Sequence, residues 1–213
     1  MKPQHWPLYG LRLRTPRLEL RLPDLELLDE LASVAANGVH APDEMPFTVP
    51  WTAVPPGERG KVVFQHVLST VADWSVRDWA LSLAVLCEGR VVGRQDLMAR
   101  DFAVTGQVST GSWLGLAHQG RGIGTEMRAA VLHLAFAGLG ARTAVSAAMT
   151  DNPRSLGVSH RLGYLPDGTT VAAVRGAPVV LRRLRMDRAR WEECRSIDVT
   201  VEGLDGCRAE FGA

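Results

Sequence analysis

Between a run of strand-like residues and an amphipathic helix, the chain places three glycines in five positions: Gly120-Arg121-Gly122-Ile123-Gly124. Few local sequences constrain a fold more. Glycine reaches backbone angles closed to other residues and lets the main chain approach a ligand closely. The preceding Gln107 to Leu116 reads as a strand, and Ile123, Met127, Val131, Leu134 and Ala135 recur at helical spacing. A turn of this kind directs successive N–H groups inward and continues them into the first helical turn. There the amide donors lack partners and the dipole is positive. Physically it is an anion cradle, suited to phosphate or pyrophosphate, unless it is only a turn.

Two nucleotide-binding patterns do not fit. A G-x-G-x-x-G fingerprint fails because the third glycine, Gly124, falls one position early. A Walker pattern fails at Gly57-Glu58-Arg59-Gly60-Lys61, where two residues separate the glycines instead of four.

The rest of the chain alternates strands and helices. Leu11 to Leu22 reads as one strand, bent or begun at Pro16 and so placed at an edge. Asp24 caps a helix carrying Leu25, Leu28, Leu31, Ala32 and Ala35 that stops near Asn37-Gly38. Five prolines then break residues 39–56, a long loop whose Met45, Phe47 and Trp51 suit either a binding wall or a pin to the core. A second helix runs from about Glu58 to Trp74. Strands follow at Trp79 to Cys87 and Val91 to Ala99, joined by Glu88-Gly89-Arg90. A strand at Arg142 to Met149, a helix behind Asn152-Pro153 and a hairpin around Arg175-Gly176 complete the pattern. Residues 1–10 read as an extension, 11–191 as one domain, and 192–213 as a polar tail without a motif.

Composition removes several classes. The 213 residues, 46% hydrophobic and 22% charged, are those of a globular chain with a core of its own. No run is long and apolar enough to span a membrane, and Met1 to Pro7 lack a signal-peptide core, so a soluble cytoplasmic protein with no membrane partner is expected. A net charge of +1 offers no global attraction to nucleic acid, and none is expected as a partner. Cys87, Cys194 and Cys207 show no C-x-x-C spacing and the six histidines no H-x-x-x-H pair, so neither a disulfide framework nor a metal is expected.

One pattern does fit the glycine turn: Q/R-x-x-G-x-G/A, as Gln119-Gly120-Arg121-Gly122-Ile123-Gly124. Thr15-Pro16-Arg17-Leu18-Glu19-Leu20-Arg21 precedes it, and Asn152-Pro153-Arg154-Ser155 with Leu162-Gly163-Tyr164 follows. In these motifs and their order the chain resembles the GNAT N-acetyltransferase superfamily, and within it the ribosomal-protein N-terminal acetyltransferase (Rim-type) branch. The similarity covers about Leu11 to Trp191.

The resemblance implies an α+β fold, a splayed, mixed but mostly antiparallel sheet with helices on both faces. It implies acetyl-CoA in the splay, pantetheine against the strand backbone near Leu114 and Leu116, and pyrophosphate on Gln119, Gly120, Arg121, Gly122, Ile123, Gly124 and Thr125. An amide near Leu114 or Leu116 would polarise the thioester carbonyl. Asn152 matches a position that contacts cofactor or splayed backbone, while its local sequence equally suits a helix N-cap. Ser155 matches the serine that returns a proton to the thiolate and lies beside the cofactor; Tyr164 is a competing donor more suited to packing. Cys87 has no nucleophilic part, since the implied reaction is direct attack of an amine on the thioester. The acceptor would be a protein or peptide N-terminus or a small-molecule amine. Self-association is a further expectation, as members of the superfamily often dimerise.

The general base departs from the pattern. Ser109-Thr110-Gly111-Ser112-Trp113 lacks the carboxylate that the branch often places there, leaving Glu44, Asp96, Asp43 and His118 as candidates. An α-amine with pKa near 8 is about one-tenth neutral at pH 7, whereas a lysine amine stands roughly 3.4 kcal/mol further from its neutral form. A weak base therefore suits an α-amine. Two other classes stay open: an acyl-CoA-binding module without turnover, and a dinucleotide oxidoreductase using Gly120 to Gly124 with Asp151 on the ribose.

Overall fold

The computed structural model describes residues 4–213. Nine strands form one open sheet, and its elements follow in chain order as β1 (Arg12–Arg14), β2 (Leu18–Arg21), α1 (Leu25–Ala36), α2 (Pro56–Ala72), β3 (Asp78–Cys87), β4 (Arg90–Arg100), α3 (Phe102–Thr105), β5 (Gln107–Leu114), α4 (Ile123–His133), β6 (Thr143–Met149), α5 (Pro153–Leu162), β7 (Leu165–Val174), β8 (Ala177–Asp187), α6 (Arg188–Cys194) and β9 (Thr200–Glu202). The spatial order is β7-β8-β6-β5-β4-β3-β2-β1-β9.

Local chemistry accounts for the element ends. Asp24 caps α1 by accepting from the Leu27 N–H at 3.0 Å, and α2 opens on Pro56, whose missing N–H costs nothing at a first turn. The β3–β4 and β7–β8 hairpins close through Glu88-Gly89 and Arg175-Gly176, all four residues at positive φ, the backbone of a two-residue type I′ turn.

The β5–β6 pair is the parallel one; all other neighbours are antiparallel. Its pairing runs from Gln107↔Thr143 to Ser109↔Val145 and stops. Beyond that point β5 follows β4 as far as Leu114↔Gly93, while β6 follows β8 as far as Met149↔Leu181. The sheet therefore opens between Thr110–Leu114 and Ser146–Met149. This is the splay expected from the family resemblance.

Helices cover both faces, also as expected. On one, Leu28, Leu31, Val63 and Val67 of α1 and α2 pack on Ala84, Leu86, Val91 and Trp113. On the other, Ile123, Met127, Ala130 and Val131 of α4 pack with Leu83, Leu97, Val108 and Leu114.

Two expectations are corrected. Leu11 to Leu22 is a β1–β2 hairpin, turned at Thr15-Pro16, and it is not an edge, because β9 pairs outside β1. The supposed extension and tail are built into the main core: Leu8 from one and Leu204, Cys207 and Phe211 from the other are buried there. The indole N–H groups of Trp74 and Trp79 donate to the carbonyls of Glu210 and Phe211.

Candidate active site

The glycine turn lies at the open end of the splay. Gly120 and Gly122 take φ of +73° and +80°, the left-handed region that glycine enters without strain. The N–H of Gln119 bonds back to the Leu116 carbonyl at 3.3 Å, and that of Thr125 to Gly122 at 3.1 Å. Between them, the amides of Gly120, Arg121, Gly122, Ile123 and Gly124 have no partner among the described residues. Five consecutive free donors stand at a helix N-terminus, while the N–H groups of Gln119 and Thr125, the outer residues of the expected cradle, are bonded within the turn. Ile123 is buried beneath them and anchors the turn, while the Arg121 side chain is exposed.

The turn is held from outside by residues whose part was hidden in the sequence. Glu126, in the first turn of α4, is buried and accepts from the Thr15 hydroxyl at 2.6 Å, the Arg17 N–H at 3.1 Å and the Arg17 guanidinium at 2.7 Å. Arg17 also donates to the Arg121 carbonyl at 3.1 Å. The Thr15-Pro16-Arg17 motif is thus the clamp on the cradle. The Gln119 amide donates to the carbonyls of Val39 at 2.7 Å and Leu114 at 3.0 Å, tying the long loop to the end of β5.

The free edge of β5 offers backbone groups to a ligand. Gly115 N–H bonds to the Val92 carbonyl at 2.9 Å, so antiparallel alternation turns the N–H groups of Leu114, Ser112 and Thr110 away from β4 and into the splay. Leu116 is different. Its N–H donates to the Gly38 carbonyl at 3.0 Å, which removes it as an oxyanion donor.

Across the splay, Asn152 caps α5, its side chain accepting from the Ser155 N–H at 3.0 Å. Of its two expected roles the cap is the one seen. Ser155 is half-buried, and its hydroxyl makes no hydrogen bond within the described residues. Tyr164 is buried as expected, but its hydroxyl has no partner. Burial raises its pKa above the ordinary phenol value, with nearby Arg128 and Thr110 opposing. Arg128, fully buried, bonds to the Ser159 hydroxyl at 2.8 Å and to the Ser112 hydroxyl at 3.4 Å. Nothing in the sequence pointed to Arg128, because an arginine on a helix reads as solvated.

The candidate bases separate. Asp96 is buried on the α1–α2 side of the sheet, paired with Arg94 at 2.9 Å and accepting from Ser82 at 2.7 Å. Glu44, in the long loop, pairs with Arg154 of α5 at 3.1 Å and stays exposed. Beside it Met45 packs on Met149, Val174 and Leu181, so the loop reaches across from the α1 side to the β6–β8 arm. Phe47 and Trp51 stack towards Trp113, with centroids 5.2 and 5.7 Å apart along that row. These three residues pin the loop to the core. Asp43 is exposed in the same loop, and His118 is half-buried in the turn before the cradle. Among the described residues no cluster of metal-ligating side chains occurs, and no helix is long and apolar enough to cross a membrane.

An open sheet splayed beside a clamped amide cradle has counterparts among known proteins. Residues 17–165 match the family model described as an acetyltransferase (GNAT) domain. The chain belongs to the GNAT acetyltransferase family. Its fold is similar to that of Mycobacterium smegmatis RimJ in complex with a CoA disulfide, at TM-score 0.70, 17% identity and 95% of each chain. It is also similar to RimL, a ribosomal L7/L12 α-N-protein acetyltransferase in complex with coenzyme A, at TM-score 0.64 and 20% identity over 81% of this chain and 95% of that one. A GCN5-related N-acetyltransferase from Brucella melitensis aligns at TM-score 0.67 and 19% identity over 100% of this chain and 88% of that one. The GNAT protein is accordingly an N-acetyltransferase with acetyl-CoA as cosubstrate. Its residues fit that molecule: five unpartnered amides, at the mouth of a splay lined by unpaired strand backbone, are donors of the kind a pyrophosphate would take.

Proposed function

We propose that this GNAT enzyme transfers the acetyl group of acetyl-CoA to an α-amine, that of a peptide or protein N-terminus or of a small molecule with a similarly low pKa. The observation carrying this reading is the state of the carboxylates. Asp96 is committed to Arg94 and Ser82, leaving the half-exposed Glu44 at the rim of the opening. A carboxylate in water is a weak base. It serves an amine that is already about one-tenth neutral at pH 7 far better than a lysine. The structurally similar RimL is a ribosomal L7/L12 α-N-protein acetyltransferase, which agrees with that choice.

In this reading the amides of Gly120 to Gly124 hold the pyrophosphate, with Arg121 beside it. The pantetheine lies along the free edge of β5, where the N–H groups of Ser112 and Leu114 face the splay. Leu114 N–H polarises the thioester carbonyl. The amine nitrogen bonds to the acetyl carbon and the carbon–sulfur bond breaks with its electron pair on sulfur. The proton lost by nitrogen passes through Glu44 and water, and Ser155, with its free hydroxyl, returns one to the thiolate. Asn152 positions Ser155 by capping its amide.

Initial rates on a peptide panel test the proposal. Peptides with a free α-amine should be acetylated at least tenfold faster at pH 7 than N-blocked peptides carrying lysine. Faster lysine acetylation would overturn the acceptor assignment, and CoA binding without turnover on any amine would favour a binding module instead.

A further inference from the structure

Arg128 is a buried charge without a counter-charge. Its residue is 5% exposed, and it makes no ion pair among the described residues. Only two serine hydroxyls receive its guanidinium, and its Nε–H has no partner. Two more buried polar atoms lie in the same cluster, the Tyr164 hydroxyl and Thr110 Oγ1, which stand against each other without a well-formed hydrogen bond. The groups come from α4, from α5 and the short link between it and β7, and from the free stretch of β5 just past the last β5–β6 pair, Ser109↔Val145. All of them can donate, one is permanently cationic, and none is an acid. A chain does not bury an unpaired guanidinium without several kcal/mol of compensation. A site so composed lacks an anion.

We propose that Arg128 supplies the positive charge that stabilises the CoA thiolate as it leaves. The proposal rests on the acetyltransferase reading, in which the pantetheine runs from the cradle back along β5 towards Ser112 and Thr110. Bond breaking there places an electron pair on sulfur, in a dry cleft where a nearby cation acts strongly. Ser159, itself bonded to the Ser155 carbonyl at 3.2 Å, and Ser112 hold the guanidinium in place. Tyr164 is the titratable group facing Arg128; β5 and α5 present hydroxyls, His160 and Arg161 are exposed, and Glu126 turns to Thr15 and Arg17.

The test compares binding of CoA and desulfo-CoA at pH 6.5, 7.5 and 8.5. In the wild type CoA should be favoured, and the preference should grow by up to about tenfold per pH unit as the bound thiol ionises below the ordinary thiol value near 8.5. Arg128→Met should bind desulfo-CoA like the wild type but lose the growing preference, and Arg128→Lys should restore most of it. Methionine replaces an unpaired buried charge with an apolar chain of similar length, so the variant should fold; if it does not, the wild-type pH series decides alone. A wild type with no pH-dependent preference, or an Arg128→Met variant that keeps it, overturns the role of Arg128. Failure of the wild type to bind desulfo-CoA at all overturns the cofactor placement, and this proposal with it.

Discussion

Arg17 and Glu126, 109 residues apart, meet with two guanidinium nitrogens on one carboxylate oxygen: Nε at 2.7 Å and Nη2 at 2.6 Å from Oε2. The other oxygen, Oε1, is occupied by the Thr15 hydroxyl and the Arg17 N–H. The β1–β2 turn is thereby locked to the first turn of α4, and Arg17 reaches on to the Arg121 carbonyl within the cradle. Arg17 is half exposed, so Arg17→Ala should cost only about 1–2 kcal/mol, on the order of 2–8 °C in Tm. The functional effect should be larger. KM for acetyl-CoA should rise several-fold with kcat little changed, because the cradle loses its outer support while the splay stays intact. A steady-state titration of acetyl-CoA decides it, and an unchanged KM would mean that the clamp serves stability alone.

Gly122 cannot carry a side chain without strain. At φ +80° an L-residue costs about 1–2 kcal/mol, and a Cβ there would stand 3.4 Å from Arg17 Nη2. Gly122→Ala should therefore weaken CoA binding by about tenfold while lowering Tm by only a few degrees. Isothermal titration with CoA measures the first, and a variant that binds like the wild type would show that the turn need not hold its shape.

Gln119 ties the end of β5 to the loop after α1, donating to the carbonyls of both Leu114 and Val39. Gln119→Ala leaves two carbonyls short of a donor, at about 1–3 kcal/mol in total. The loop at 39–56 should then be cut faster by limited proteolysis, and the protection normally given by CoA should shrink.

How far the site could be read beforehand follows from what each residue's chemistry announces. Gly120, Gly122 and Gly124 announce themselves, because glycines so spaced before a helix have few other uses. Asn152 announces two roles, and a sequence has no means of choosing between a cap and a ligand contact. Glu126 and Arg128 are silent: on a helix with an apolar stripe, charged residues read as its wet face, and only the packing of α4 against the β1–β2 turn for one, and against β5 and α5 for the other, turns them inward. β9 is silent for another reason. Three residues, Thr200–Glu202, are too short for periodicity, so a strand made by tertiary pairing looks like tail.

That tail carries a prediction of its own. Phe211 is fully buried, with Trp74 and Trp79 rings 5.4 and 5.0 Å away. Phe211→Ala should cost about 3–5 kcal/mol, on the order of 10 °C in Tm. Cys207, in the same corner, has its thiol pushed up to about 11 by burial first and by Glu210 second. It should resist alkylation at pH 8 in the native wild type and become reactive in the Phe211→Ala variant. Thiol counting by mass spectrometry reads this directly.

Glu44 and Asp96 should fail in opposite ways when neutralised. Asp96→Asn leaves Arg94, whose side chain is 11% exposed, without its counter-ion, and breaking such a buried pair costs about 3–5 kcal/mol. The variant should melt on the order of 10 °C lower yet turn over normally below that temperature. Glu44→Gln breaks an exposed pair worth about 0–1 kcal/mol, so its Tm should not move. Its kcat/KM at pH 6.5 should drop by about tenfold or more, if Glu44 carries the proton from the amine. The deficit should then close as pH rises past 8, where an α-amine loses its proton to water unaided. A pH–rate profile of both variants separates the two roles. Wild-type rates for Glu44→Gln across the whole range would leave deprotonation to solvent, and a pH-independent loss would make Glu44 a binding residue for the acceptor.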